Sequence, residues 1–160
     1  MIFCLSIMAY AQTPQDRATE LKKQAQSSLN QKDYIKARYL FKKAYEAFAS
    51  RENYPQAIEC GVQANALYVR ENFYKEGFEL CRDMEQLLWT GEQNKKKVFY
   101  DLRFLINKER LQMYTALKNP AQAKTQLDKL EEMANLAKND SLTEVLLYTK
   151  ANYYYTFNQS

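Results

Sequence analysis

From residue 16 onward, apolar residues recur at steps of three and four, interrupted only by short polar breaks. Ala37, Leu40, Phe41, Ala44 and Phe48 fall on one side of a helix, as do Ala123, Leu127, Leu130, Met133, Ala134 and Ala137. That spacing marks helices with one buried face. It predicts a first helix over about 16–32, a turn at Asp33-Tyr34, and a second helix over about 35–50 ending near Arg51-Glu52-Asn53. A third helix opens at Tyr54-Pro55, with proline tolerated in its first turn, and runs to about Glu71. A fourth follows Asn72-Phe73 and ends at Thr90-Gly91, glycine suiting a helix end. A loop over 92–96 leads to a long fifth helix over about 97–118. Asn119 caps a sixth helix with Pro120 as its first residue, running to about Lys138. Asn139-Asp140-Ser141 caps a seventh that continues to the last residues. Breaks of two to five residues make successive helices antiparallel neighbours. The expected fold is all-α: a solenoid of antiparallel helix pairs with about seven helices.

Composition agrees. Three glycines and three prolines in 160 residues are too few for a turn-rich β fold or for phosphate-cradling loops. The chain contains no histidine, which removes Ser-His-Asp and Cys-His catalysis and imidazole ligation. The net charge of +4 is spread along the chain. Its one cluster, Lys95-Lys96-Lys97, fits a solvated inter-helix loop better than a phosphate-binding patch, so no nucleic-acid partner is expected. Asp128, Glu131 and Glu132 fit surface charge, because adjacent helical positions do not face each other. Trp89, beside Leu87-Leu88, is expected in the core. No nucleophile-plus-base pattern and no metal-ligand spacing is present, so no catalytic residue, cofactor or metal is expected. Thirteen tyrosines suit helix packing with hydroxyls at the edge.

A turn near 72–73 sets Cys60 opposite about residue 84, and Cys81 opposite about 63–64. The cysteines are then offset by ~4.5 Å along the axis at a rise of ~1.5 Å per residue. With helix axes ~8–10 Å apart, they lie beyond disulfide reach. Both are expected to be free and buried.

Residues 1–11, MIFCLSIMAYA, carry no charge and run apolar from Ile2 to Met8, closing on Ala9-Tyr10-Ala11. This is the apolar core and A-x-A site of a secretory signal, with cleavage expected after Ala11 and a mature domain over 12–160. The basic stretch that should come first is missing, as it would be if the true start lies upstream. The alternative is a short apolar helix packed on the first repeat. Cys4 lacks a lipobox, so no lipid anchor is expected. No other stretch approaches the roughly 20 apolar residues of a membrane span.

Leu21, Ala25, Leu29, then Asp33-Tyr34, Ala37, Phe41 and Ala44, resemble a tetratricopeptide repeat. That family sets small and large apolar residues in helix A, a turn of this kind, then Ala, an aromatic and Ala in helix B, so that the helices approach closely. Tyr68 with Tyr74, Gly77, Cys81 and Met84 repeats the pattern weakly. So do Leu111 and Tyr114 with Pro120, Ala123, Leu127 and Leu130, and Ala151 with Tyr154. Anchors Tyr34, Tyr74 and Pro120 lie 40 and 46 residues apart, against about 34 in the family. The repeats are therefore degenerate, and a generic α-solenoid or irregular bundle is the alternative. The resemblance spans about 16–160 and leaves a fourth repeat without its helix B. A chain truncated there is expected to leave Tyr153, Tyr154, Tyr155 and Phe157 partly bare. Cys81 falls at the helix B aromatic position and is expected to be the more buried cysteine.

The resemblance also implies a concave groove lined by outward positions of each helix A. These are Lys22, Gln26 and Asn30, then Glu59, Val62, Ala66 and Arg70, then Lys108, Gln112 and Thr115, and lastly Tyr148, Asn152 and Tyr155. A polar, slightly basic and aromatic set suits a protein or peptide partner; the alternative is an ordinary solvated face. Lys22–Gln26 only partly matches the Lys–Asn pair by which some members grip a C-terminal carboxylate, so no such clamp is expected. The implied function is a non-catalytic interaction scaffold, exported to a periplasmic or extracytoplasmic space. It is similar to the sensor part of bacterial signalling receptors in which helical repeats precede a membrane span, so membrane contact is expected only through sequence outside this chain. An envelope or secreted assembly factor is the alternative, followed by an intracellular regulator that keeps its N-terminal helix.

Overall fold

A computed structural model describes residues 14–158. The expected signal segment, its cleavage site and Cys4 lie outside them. The described residues form seven helices and no strand: α1 Pro14–Asn30, α2 Tyr34–Ala49, α3 Tyr54–Arg70, α4 Tyr74–Lys95, α5 Tyr100–Ala116, α6 Pro120–Ala137 and α7 Asp140–Phe157. Each helix packs on its successor, and α5 also packs on both α3 and α7. The result is the expected all-α stack of antiparallel pairs. Among the described residues no helix is long and apolar enough to cross a membrane.

One turn design recurs. Lys32, Glu52, Asn72, Lys118 and Lys138 adopt left-handed backbone, with φ of 61°, 55°, 62°, 54° and 50°. At four of these turns the next residue's N–H reaches the carbonyl five residues back: Asp33 to Ser28, Asn53 to Phe48, Phe73 to Tyr68 and Asn119 to Tyr114. This pattern satisfies carbonyls that a helix end leaves open, which offsets a left-handed cost of roughly 1–2 kcal/mol for a non-glycine residue. After four of these five turns the following helix is capped at once. Asp33, Asn53, Asn119 and Asn139 side chains accept from the backbone N–H of Lys36, Gln56, Gln122 and Ser141.

No glycine has positive φ, and here the structure corrects the expectation at Gly91. Rather than ending α4, Gly91 lies inside it, under the buried ring of Tyr54 at the start of α3. A Cβ there would fall 2.5 Å from Tyr54 Cζ. Helix α4 continues to Lys95 and stops at Lys96, whose φ is 50°. The loop therefore occupies 96–99, and α5 starts at Tyr100 rather than near Lys97. Glu92, expected in the loop, is the buried clasp of this junction. Its carboxylate accepts the Phe99 N–H at 3.0 Å and the Arg103 Nε–H at 2.7 Å. Lys95, Lys96 and Lys97 are exposed, as a solvated stretch should be, and Lys95 pairs with Glu52 at 3.1 Å.

Trp89 is a second correction, at 55% exposure. The buried row of α4 passes through Gly77, Leu80, Cys81, Met84, Leu88 and Gly91, and residue 89 turns outward. The α3–α4 registration agrees with the turn at 72–73: a Cβ on Gly61 would meet Met84 Sδ at 2.5 Å. Cys60 and Cys81 are free, and both are 0% exposed, so exposure does not rank one above the other.

Two apolar cores result. One gathers α1 to α4 with Leu102, Ile106 and Met113 of α5. The other joins Phe104 and Leu111 of α5 to α6 and α7. On α7, Tyr154 and Tyr155 are exposed, while Tyr153 and Phe157 are half-buried against the second core.

Gly91→Ala is expected to destabilise. The forced contact with Tyr54 costs about 1–3 kcal/mol, against a helix-propensity gain of about 1 kcal/mol; urea unfolding measures the net. Glu92→Gln is expected to cost about 1.5–3 kcal/mol at neutral pH. The Arg103 guanidinium and the Phe99 N–H hold the Glu92 carboxyl below its ordinary range, against a smaller opposing effect of burial. This contribution is present above the ordinary carboxyl value and is lost as pH falls through the lower folded value. The stability gap between wild type and variant should therefore narrow on acidification.

Candidate functional site

The residues expected along the concave face divide into two groups. In the α1–α3 half, most are engaged with other parts of the protein. The Lys22 ammonium donates to Gln56 Oε1 at 2.8 Å and pairs with Glu59 at 2.7 Å. Gln26 donates to Asn30 one turn later, at 3.1 Å. The Arg70 guanidinium lies 4.0 Å from the centre of the Tyr34 ring, a cation–π contact. Val62 is half-buried and Ala66 is exposed.

In the α5–α7 half, the expected residues converge. Lys108, Gln112 and Thr115 on α5 face Tyr148 and Asn152 on α7 across a groove of about 370 Å³. Leu111, Ala116, Lys118, Thr149, Tyr153 and Thr156 complete its walls. Tyr155, 70% exposed, is not among them. The groove exists because the facing rows of α5 and α7 carry several small side chains, Thr115, Ala116, Thr149 and Thr156, where larger ones would meet. On the α7 wall the Thr149 hydroxyl donates to the Val145 carbonyl one turn earlier, at 2.7 Å, which orients that side chain on its own helix. Tyr153, on the same wall, packs on Phe157 with ring centres 5.0 Å apart.

The groove's charge is one-sided. No carboxylate lines it, while Lys108 and Lys118 do. Neither lysine takes part in an ion pair among the described residues. Tyr148, 71% exposed, stands at the rim, and the Gln112 and Asn152 amides are at hand as donors and acceptors. Such a site can take an extended chain with an apolar side and an anionic group.

Sequence reasoning singled out five of the eleven lining residues. It assigned Leu111 to packing and passed over Lys118, Ala116, Thr149, Tyr153 and Thr156 as site residues. The available signal was the pair of rows at steps of three and four, 108-112-115 and 149-152-156, carrying small and polar residues on helices that are apolar elsewhere. The acidic residues of α6 are on the surface as expected. Glu131 pairs with Lys150 at 2.7 Å and Asp128 with Lys124. Among the described residues no three His, Cys, Asp or Glu side chains gather as a metal site would require.

Compared with protein-family models, with curated proteins and with solved structures, the chain finds no match.

The two thiols are chemically quiet. Burial pushes Cys60 and Cys81 each up to about 12, so little thiolate forms near neutrality. A water-soluble alkylating reagent at pH 8 is expected to leave both unmodified in the native protein. Denaturation without reductant should expose both, as read by peptide mapping. Protection of both after denaturation would mean a disulfide and a different α3–α4 registration.

Proposed function

We propose that this chain is a non-catalytic helical-repeat scaffold that holds an extended, acidic peptide segment of a partner protein in the α5–α7 groove. The observation that carries the proposal is the convergence of Lys108, Gln112, Thr115, Tyr148 and Asn152 on one groove that contains two unpaired lysines and no carboxylate. Apolar walls with a few placed polar groups are what a recognition groove needs. Unpaired lysines favour an anionic partner through long-range attraction and register. The resemblance of Leu21 through Ala44 to a tetratricopeptide repeat supports the same function, since that family presents such grooves on its A helices. The uncharged run ahead of Gln12, closing on Ala9-Tyr10-Ala11, supports export to a periplasmic or extracytoplasmic space. There the scaffold would act as the sensor part of a signalling receptor.

The test is a fluorescence-anisotropy screen of peptides of one length and varied charge. Acidic peptides with an apolar or aromatic residue are expected to bind, and basic ones of equal hydrophobicity to fail. Lys108→Glu should weaken binding by about tenfold or more, which is ~1.4 kcal/mol. Raising salt towards 1 M should weaken it too. Lys22→Glu, at the other end of the stack, should leave it unchanged. Binding that ignores both the sign of the peptide charge and Lys108→Glu would rule the groove out.

A further inference from the structure

Helix α5 carries one buried carboxyl group, and it lies outside the groove. Glu109 faces away from solvent at 2% exposure, between rows of apolar residues. Across the helix interface stands Asn65 of α3, 0% exposed, whose Nδ2 donates to Glu109 Oε2 at 3.0 Å. No cation neutralises this carboxyl: the eight ion pairs of the described residues exclude it. Meanwhile the Asn65 carbonyl oxygen is buried without a donor. Space beside that oxygen is tight, since a Cβ on Gly77 would lie 3.0 Å from it and 2.7 Å from Met113 Sδ. A buried acceptor without a donor and a buried carboxylate without a cation are each costly. A single proton removes both costs.

We propose that Glu109 keeps its proton above the ordinary carboxyl range and donates it to the Asn65 carbonyl, closing a two-bond acid–amide ring that locks α3 to α5. The neighbouring groups favour the neutral acid. Burial pushes the Glu109 carboxyl up, and the Asn65 amide and the Lys108 charge only partly counter it. On α4 the nearby Cys81 thiol is itself neutral, and Glu85 is paired with Arg110 of α5 at 2.6 Å. On α3, Glu59 is paired with Lys22 and Arg70 lies on Tyr34. The charged side chains of α6, Lys124, Asp128, Lys129, Glu131 and Glu132, are exposed. On α7, Asp140 and Glu144 are exposed, and Lys150 is paired with Glu131. The α3–α5 contact thus becomes a proton-sensitive joint inside the helical stack. It is intact when Glu109 holds its proton and strained when rising pH removes it.

The sign of the effect is fixed by linkage. Between the ordinary carboxyl value and the higher value of folded Glu109, the unfolded chain has lost this proton and the folded chain keeps it. Stability from the ring is therefore complete below that window and declines as pH rises through it. Glu109→Gln keeps both hydrogen bonds and has no proton to lose. Relative to this variant, the wild-type folding equilibrium constant should fall by up to tenfold per pH unit inside the window. The wild-type protein offers a direct second readout. Infrared spectroscopy of the intact chain, titrated upward from pH 4, should show the carbonyl band of one protonated carboxylic acid per molecule persisting after the exposed carboxyls have ionised, and that band should vanish on unfolding. Parallel stability curves for wild type and Glu109→Gln from pH 4 to pH 8 would overturn the proposal. Should the variant not fold, absence of the protonated-acid band in the wild type would overturn it equally.

Discussion

Helix α5 is buried on two sides, and the rest of the molecule depends on that. Leu102, Ile106 and Met113 project into the core shared with α1 to α4. Phe104 and Leu111 project into the core shared with α6 and α7. A helix with a single apolar stripe could close only one of these cores, and a helix apolar around most of its circumference is the kind that sits inside a protein. Because α5 belongs to both, the two halves form one stack. The same helix supplies a wall of the groove through Lys108, Gln112 and Thr115, and the buried carboxyl that meets α3 through Glu109.

Close approach around α3 follows from small residues. Ala57, Cys60, Gly61 and Ala64 on α3, with Gly77 on α4, leave room that the methionines Met84 and Met113 fill. Flexible thioethers suit such irregular gaps. The consequence is a division of labour: all three glycines serve packing, while the helix exits rely on lysine, glutamate and asparagine in left-handed backbone. The bends hold because each exit is closed by backbone hydrogen bonds and most are followed at once by an Asp or Asn cap.

Where local chemistry decides structure, it was legible in the sequence. The periodic rows of α2 and α6, the caps at Asn119 and Asn139, and the prolines 55 and 120 in first turns all placed helices within a few residues. The α4–α5 junction was not legible, because distant partners decide it. Gly91 reads as a helix end until the ring of Tyr54 is set above it, and Glu92 reads as a loop residue until Arg103 and Phe99 close on it. Trp89 reads as core by hydrophobicity alone, but its phase on α4 turns it outward. For the groove, family-like offsets found the α5 and α7 residues that face each other. They could not show that Lys22 and Arg70 are already engaged by Glu59 and Tyr34, contacts between residues more than thirty positions apart. Asn65 and Glu109 each break an otherwise apolar row, as in Leu102, Ile106, Glu109, Met113, and it takes the fold to bring the two together.

Native-state amide hydrogen exchange tests the double burial of α5 most directly, since the slowest amides report the most stable unit. If α5 joins both cores, its central amides, from Phe104 to Met113, should exchange last and only when the whole stack opens. They should be slower than those of α1 and of the one-sided α7. Protection in α5 no greater than in α7, or an α6–α7 pair that opens while α5 stays closed to exchange only on its α3 side, would contradict a single stack built on this helix.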